Sequence, residues 1–233
     1  MAASRRMRTA ALALLLAPGA AAPARAARFI AVPWAGTVPS GHYSLWQFGL
    51  YEQKGNKHWR SLNRLDLGLG GGAEFGAFTI SPKGKQPDSW INLQWQPVPE
   101  GEFLPALSVG VWDALRKAPL FSSRTAGPSP FLAAGKTFKK GSRYAKIGLD
   151  LGANRLDGLS GGLDVRFLKG TGAMLEFQPR NLRLPGTDAW DAALYQWFGP
   201  HARVRVSRMG GNPMIDGLFA WSFGGAGRSD GRP

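Results

Sequence analysis

Residues 214–223 alternate with a period of two. Ile215, Gly217, Phe219, Trp221 and Phe223 fall on one side, and Asp216, Leu218, Ala220 and Ser222 on the other. Successive side chains of a strand point to opposite faces, whereas a helix repeats about every 3.6 residues, so this stretch is a strand with one bulky apolar face and one small or polar face. A soluble sheet turns the apolar face to a core. A membrane barrel turns it to lipid and keeps the polar face for its lumen.

The same alternation recurs over residues 45–51, 62–69, 73–80, 90–96, 103–112, 131–138, 144–151, 162–168, 173–178, 192–198 and 201–208. In 90–96, for example, Ile91, Leu93 and Trp95 oppose Asn92, Gln94 and Gln96; in 201–208, Val204 and Val206 oppose Arg203, Arg205 and Ser207. The connections add a second regularity. Links at 70–72, 97–102, 139–143, 169–172 and 199–200 are short, whereas those at 53–60, 81–89, 113–130 and 179–191 are mostly longer and more polar. Bacterial barrels carry short periplasmic turns at one end and longer loops at the other, with an even number of strands. The expected fold is therefore all-β: an antiparallel up-and-down transmembrane β-barrel of about twelve strands. A β-sandwich with the same polar residues on solvated outer faces is the competing architecture.

Arg5, Arg6 and Arg8 precede a short apolar run over 9–17, and Ala24-Arg-Ala26 has the small-x-small form of a cleavage site. That pattern is an export signal, too short to span a bilayer. The expected organisation is a signal peptide over 1–26, a periplasmic lead-in over 27–42, a barrel over 43–223 and a flexible Gly-rich tail over 224–233. The expected location is the bacterial outer membrane.

The chain carries a formal charge of +14, and four arginines of the acid-free first 26 residues leave +10 for the rest. Its Lys and Arg residues are spread over turns and strand ends, without a basic helix or an aromatic RNA-binding motif, so nucleic acid is not an expected partner. Lipopolysaccharide phosphates, outer-membrane lipid and acidic exopolysaccharide are the expected counter-charges, and the barrel-assembly machinery is the expected folding partner. The absence of cysteine excludes a disulfide framework and a thiolate metal site.

Charged and amide side chains on the polar side of each strand are the expected lumen lining: Asn92, Gln94, Lys146, Asp150, Asp164, Arg166, Glu176, Arg203, Arg205 and Asp216. Charge in an apolar core is costly unless paired, and neighbouring strands offer Arg166 to Glu176 as one such pair. The tryptophans Trp46, Trp59, Trp90, Trp95, Trp112, Trp190, Trp197 and Trp221 fall mostly near strand ends, as an interfacial girdle requires. Trp59, Trp90, Trp112 and Trp190 alternatively suit a carbohydrate-stacking platform at the outer rim.

No catalytic residue, cofactor or metal is expected. The three histidines, His42, His58 and His201, are scattered, and no His/Asp/Glu group has ligand spacing. An outer-membrane lipid-modifying enzyme built on His58 with Ser61 or Asp113 is one alternative. A secreted glycan-binding β-sandwich is the other.

A last strand closing on an aromatic residue, Phe223, resembles the C-terminal signature of bacterial outer-membrane barrels. From Leu104 onward the chain resembles the YjbH-like outer-membrane barrel family. The residues that carry the likeness are Leu104-Pro-Ala-Leu-Ser-Val-Gly-Val-Trp-Asp113, Leu120-Phe-Ser-Ser123, Ala133-Ala-Gly-Lys136, 144–152, Gly161-Gly-Leu-Asp164 and Leu175-Glu176. The resemblance covers roughly half the chain. It implies a non-enzymatic role in export or surface assembly of an exopolysaccharide.

Overall fold

Backbone N–H and C=O groups cannot be left unpaired in hydrocarbon, so a sheet that crosses a membrane must close on itself. In the computed structural model this closure is complete. The structure describes residues 33–38, 43–53, 56–81, 88–115, 127–178, 189–199, 201–209 and 211–222. Among them are twelve strands: β1 (Tyr43–Gln53), β2 (Asn56–Gly70), β3 (Ala73–Ser81), β4 (Asp88–Val98), β5 (Ala106–Trp112), β6 (Ser129–Lys140), β7 (Arg143–Gly152), β8 (Gly158–Arg166), β9 (Thr171–Phe177), β10 (Trp190–Phe198), β11 (Ala202–Met209) and β12 (Asn212–Ser222). Each strand pairs antiparallel with its sequence neighbours, and β1 pairs with β12 from Tyr43↔Ser222 to Tyr51↔Met214. There is no second sheet layer among the described residues, so the sandwich alternative does not hold.

Strand faces follow the alternation. Outward-facing Leu93, Trp95, Leu132, Ile147, Leu149, Leu175, Leu194, Val206 and Ile215 form an exposed apolar belt, with Leu194 at 64% exposure. In water such a belt would be an association surface; around a closed barrel it is the lipid-facing band. The molecule is an outer-membrane-type β-barrel.

The hairpin between β2 and β3 turns on Gly70, Gly71 and Gly72, whose φ values of 97°, 58° and 77° lie where residues with a Cβ are strained. Other boundaries differ from expectation. The 53–60 link is mostly strand: β1 runs to Gln53 and β2 starts at Asn56, placing His58 within β2 rather than in a loop. The two strands stay paired across an irregularity, where Glu52 faces Trp59 and Gln53 faces Asn56, so that Lys57 and His58 fall in a bulge of β2.

Residues 103–105 lie outside β5. Lys136 on the outer wall draws them away by donating to the carbonyls of Gly101, Glu102 and Leu104 at 2.5, 2.6 and 3.3 Å. Phe103 is left 87% exposed.

The girdle expectation is also corrected in part. Trp95 and Trp190 face outward, but Trp90, Trp112 and Trp197 point into the barrel and are buried. Trp90 stacks on Phe78 with ring centroids 4.1 Å apart. Closeness to a strand end does not choose lipid over lumen; parity does, since Trp90 shares the face of Asn92 and Gln94, Trp112 that of Ser108, and Trp197 that of Asp191. The side chains of Trp46, Trp59 and Trp221 lie outside what the structure describes, as do residues 1–26, where a signal peptide is expected, Phe223 and residues 224–233.

The lipid-facing assignment makes a prediction. Leu194→Arg, near the middle of β10, should destabilise the barrel by about 2–4 kcal/mol, while Leu194→Phe should be nearly neutral. Urea unfolding in phospholipid vesicles reads both, and an unshifted Arg variant would contradict the placement.

Candidate functional site

The inward face is polar, as the alternation requires, and it is tightly filled. Asn92, Gln94, Lys146, Asp150, Asp164, Glu176, Arg203, Arg205 and Asp216 are all buried inside the barrel, and Arg166 is half-buried there. Buried charges need partners, and the sheet register supplies several of them. Arg205 and Asp216 stand opposite each other on β11 and β12, and Arg205 Nε donates to Asp216 Oδ2 at 2.6 Å with both side chains fully buried. Arg205 Nη1 also reaches Met174 Sδ at 3.6 Å. On β2, Arg64 Nε donates to Asp66 Oδ2 at 2.7 Å.

Asp164 is the centre of a second network. Tyr195 Oη donates to its Oδ1 at 2.7 Å, Tyr144 Oη donates to its Oδ2 at 3.1 Å, and the two hydroxyls are 3.0 Å apart. The three residues come from β7, β8 and β10, so Tyr195 must reach across β9. It does so over Gly172, its register partner, where any Cβ would collide with the Tyr195 hydroxyl. Three cations surround this network through aromatic faces. Arg166 lies 4.8 Å from the Tyr144 ring centroid, Lys146 lies 5.1 Å from it, and Arg203 lies 5.6 Å from both Tyr195 and Trp197. Such stacking is worth most when the cation is desolvated, as here.

The expected Arg166–Glu176 pair does not form. Arg166 is in register with Gly172, and Glu176 stands four residues further along β9, about 13 Å away. Glu176 lies instead beside Asp191, and Asp191 is hydrogen-bonded by Gln178. Asp150 points inward without a hydrogen-bond partner among the described residues. The remaining two expected residues have partners: Asn92 Oδ1 accepts from the Asp113 N–H at 3.3 Å, and Gln94 Nε2 donates to Ser108 Oγ at 3.1 Å.

Gln94 also donates to the carbonyl of Trp34 at 2.6 Å, which introduces a feature the strand pattern did not foretell. Residues 33–38 were expected to be a lead-in outside the barrel; they lie within it. Val38 N–H donates to Glu74 Oε2 at 2.7 Å, and Thr37 Oγ1 donates to Gln96 Oε1 at 3.1 Å. The Trp34 ring lies against Gly135, where a Cβ would come within 2.8 Å of it, and Lys146 Nζ sits 5.7 Å from its centroid. Ala35 joins Ala106, Trp112, Phe131, Ala133 and Leu156 in one apolar cluster inside the barrel. Leu156 enters that cluster from the opposite end, on the 3-10 turn Asn154–Leu156 between β7 and β8.

Sequence reasoning missed Glu74, Tyr144, Asp191, Tyr195 and Trp34 as interior residues. The parity of β10 carried a signal for two of them: Asp191, Ala193, Tyr195 and Trp197 are all inward. Trp34 had none, because residues 33–38 form no strand. Among the described residues no group of His, Asp and Glu is placed to hold a metal ion.

These features define a closed, antiparallel, twelve-stranded transmembrane barrel whose interior is packed with side chains. Comparison with solved structures agrees on the fold. The chain is similar to a protein described as "KdgM porin", with a TM-score of 0.51 and 12% identity over 78% of this chain and 99% of that one. It is also similar, at a TM-score of 0.41 and 11% identity over 84% of this chain and 100% of the other, to the COG4313 outer membrane channel from Pseudomonas putida F1. No family model and no curated protein matches the chain.

Two predictions follow from the interior. Asp216→Leu should cost about 3–5 kcal/mol by leaving Arg205 buried without its carboxylate, and adding Arg205→Met should recover part of that loss. Gly172→Val should cost about 1–3 kcal/mol by displacing Tyr195 from Asp164. Chemical unfolding in detergent micelles measures both; additive losses at Arg205 and Asp216 would show that the pair is not coupled.

Proposed function

We propose that the protein is a non-enzymatic outer-membrane barrel that provides a narrow conduit and assists export or surface assembly of an exopolysaccharide. The observation that carries the narrow conduit is the filled interior. A wide diffusion pore keeps its centre open, whereas here Asp164, Glu176, Arg203 and Arg205 are buried inside the wall. The polysaccharide part of the reading is supported by the YjbH-like stretches beginning at Leu104 and by the chain's net positive charge, which suits an acidic polymer or lipopolysaccharide phosphates.

Deleting the gene from its bacterial host should lower the amount of acidic polysaccharide at the cell surface, and the wild-type gene should restore it. An unchanged polysaccharide yield and composition in the deletion strain would dismiss the polysaccharide role.

A further inference from the structure

We propose that residues 33–38 are a built-in plug, and that current through the barrel requires their displacement. The proposal rests on the conduit reading above. Its first support is position. Trp34, Ala35 and Val38 are 3%, 0% and 1% exposed, and the residues that meet the segment, Glu74, Gln94, Gln96 (through Thr37), Gly135 and Lys146, belong to β3, β4, β6 and β7. The segment thus spans one half of the interior. The Tyr144–Asp164–Tyr195 network and the Arg205–Asp216 pair occupy the other half.

The second support is the way the segment is held. Residues 33–38 belong to no strand, and the hydrogen bonds described for them run to side chains of the wall. Every ladder of the closed sheet forms without them. The segment can therefore leave without opening the barrel, and its departure exposes a carboxylate, two amides and an ammonium group to the lumen.

The third support is fit. A Cβ at Gly36 would stand 2.6 Å from Trp34 Nε1, and one at Gly135 would stand 2.8 Å from the ring tip, so both glycines make room for the indole. Residues 39–42 alone separate the segment from β1, a reach of about 17 Å when extended, so a displaced plug stays at the mouth where β1 begins.

The chain has no cysteine, so an engineered disulfide can be read without interference. A Cβ built on Gly135 lies 3.2 Å from the Ala35 Cβ, within a few tenths of an ångström of the span a disulfide needs, with the tip of the Trp34 ring yielding. The experiment is planar-bilayer conductance of the full mature chain, a variant lacking 33–38, full-length Gln94→Leu, and the pair Ala35→Cys/Gly135→Cys. Heat-modifiability on gels confirms that each is folded.

The expected result is a low, intermittent current for the wild type. It should rise several-fold in the deletion variant, and openings should be more frequent in Gln94→Leu. The oxidised cysteine pair should be shut, and reductant should return it to wild-type behaviour. A wild type that already conducts as well as the folded deletion and Gln94→Leu variants overturns the plug while leaving the conduit standing. A cysteine pair that does not cross-link on oxidation overturns the plug's placement. Absence of current through every folded form, with the cross-link made, overturns the conduit itself and the gating role with it.

Discussion

The pairing of β1 with β12 is the interaction on which the rest depends. Without it the sheet would have two unpaired edges, and neither could lie in hydrocarbon. Closure removes both edges and sorts the side chains. Leu194, Val206 and Ile215 are held outward where lipid receives them, while Arg205, Asp216 and Asp164 are held inward where only the barrel itself can satisfy them. One geometric act therefore creates both the membrane surface and the interior.

That interior is small enough for side chains to fill it, and it is filled in two chemical styles. On the side of β7 to β12, much of the charge is held locally: Arg205 by Asp216, Asp164 by two tyrosine hydroxyls, and Arg166, Lys146 and Arg203 against aromatic faces, while Asp150 stands without a hydrogen bond among the described residues. Around β5 and β6 the inward positions are small or apolar, and they receive Ala35 and Leu156 from segments outside the sheet. Small residues such as Ala106, Ala133 and Gly135 leave the space that residues 33–38 take up, and the segment and the wall are thus complementary in shape.

The alternation identified all twelve strands and the inward side of the predicted polar residues, because a period of two is a local property that any partner strand preserves. One thing was misread and two escaped it. Closeness to a strand end does not distinguish lipid from lumen, so Trp90, Trp112 and Trp197, which suit a girdle by that measure, lie inward on the parity of Asn92, Ser108 and Asp191. Which charges meet depends on register: Arg166 on β8 faces Gly172 and sits by Tyr144, far along β9 from Glu176. Strand ends depend on pairing too, as the run of β2 through His58 shows.

Residues 33–38 are the clearest division between the two levels. By itself the sequence determined that this chain forms strands with one apolar and one polar face, in a number that can close, with its charges on the polar face. Only the tertiary structure decided that Trp34 lies on Gly135 and Val38 on Glu74, inside the barrel. A strand's faces are encoded every two residues along its own length. The occupant of a lumen is chosen by shape and hydrogen bonding among residues far apart in the chain, and that information exists only once the sheet has closed.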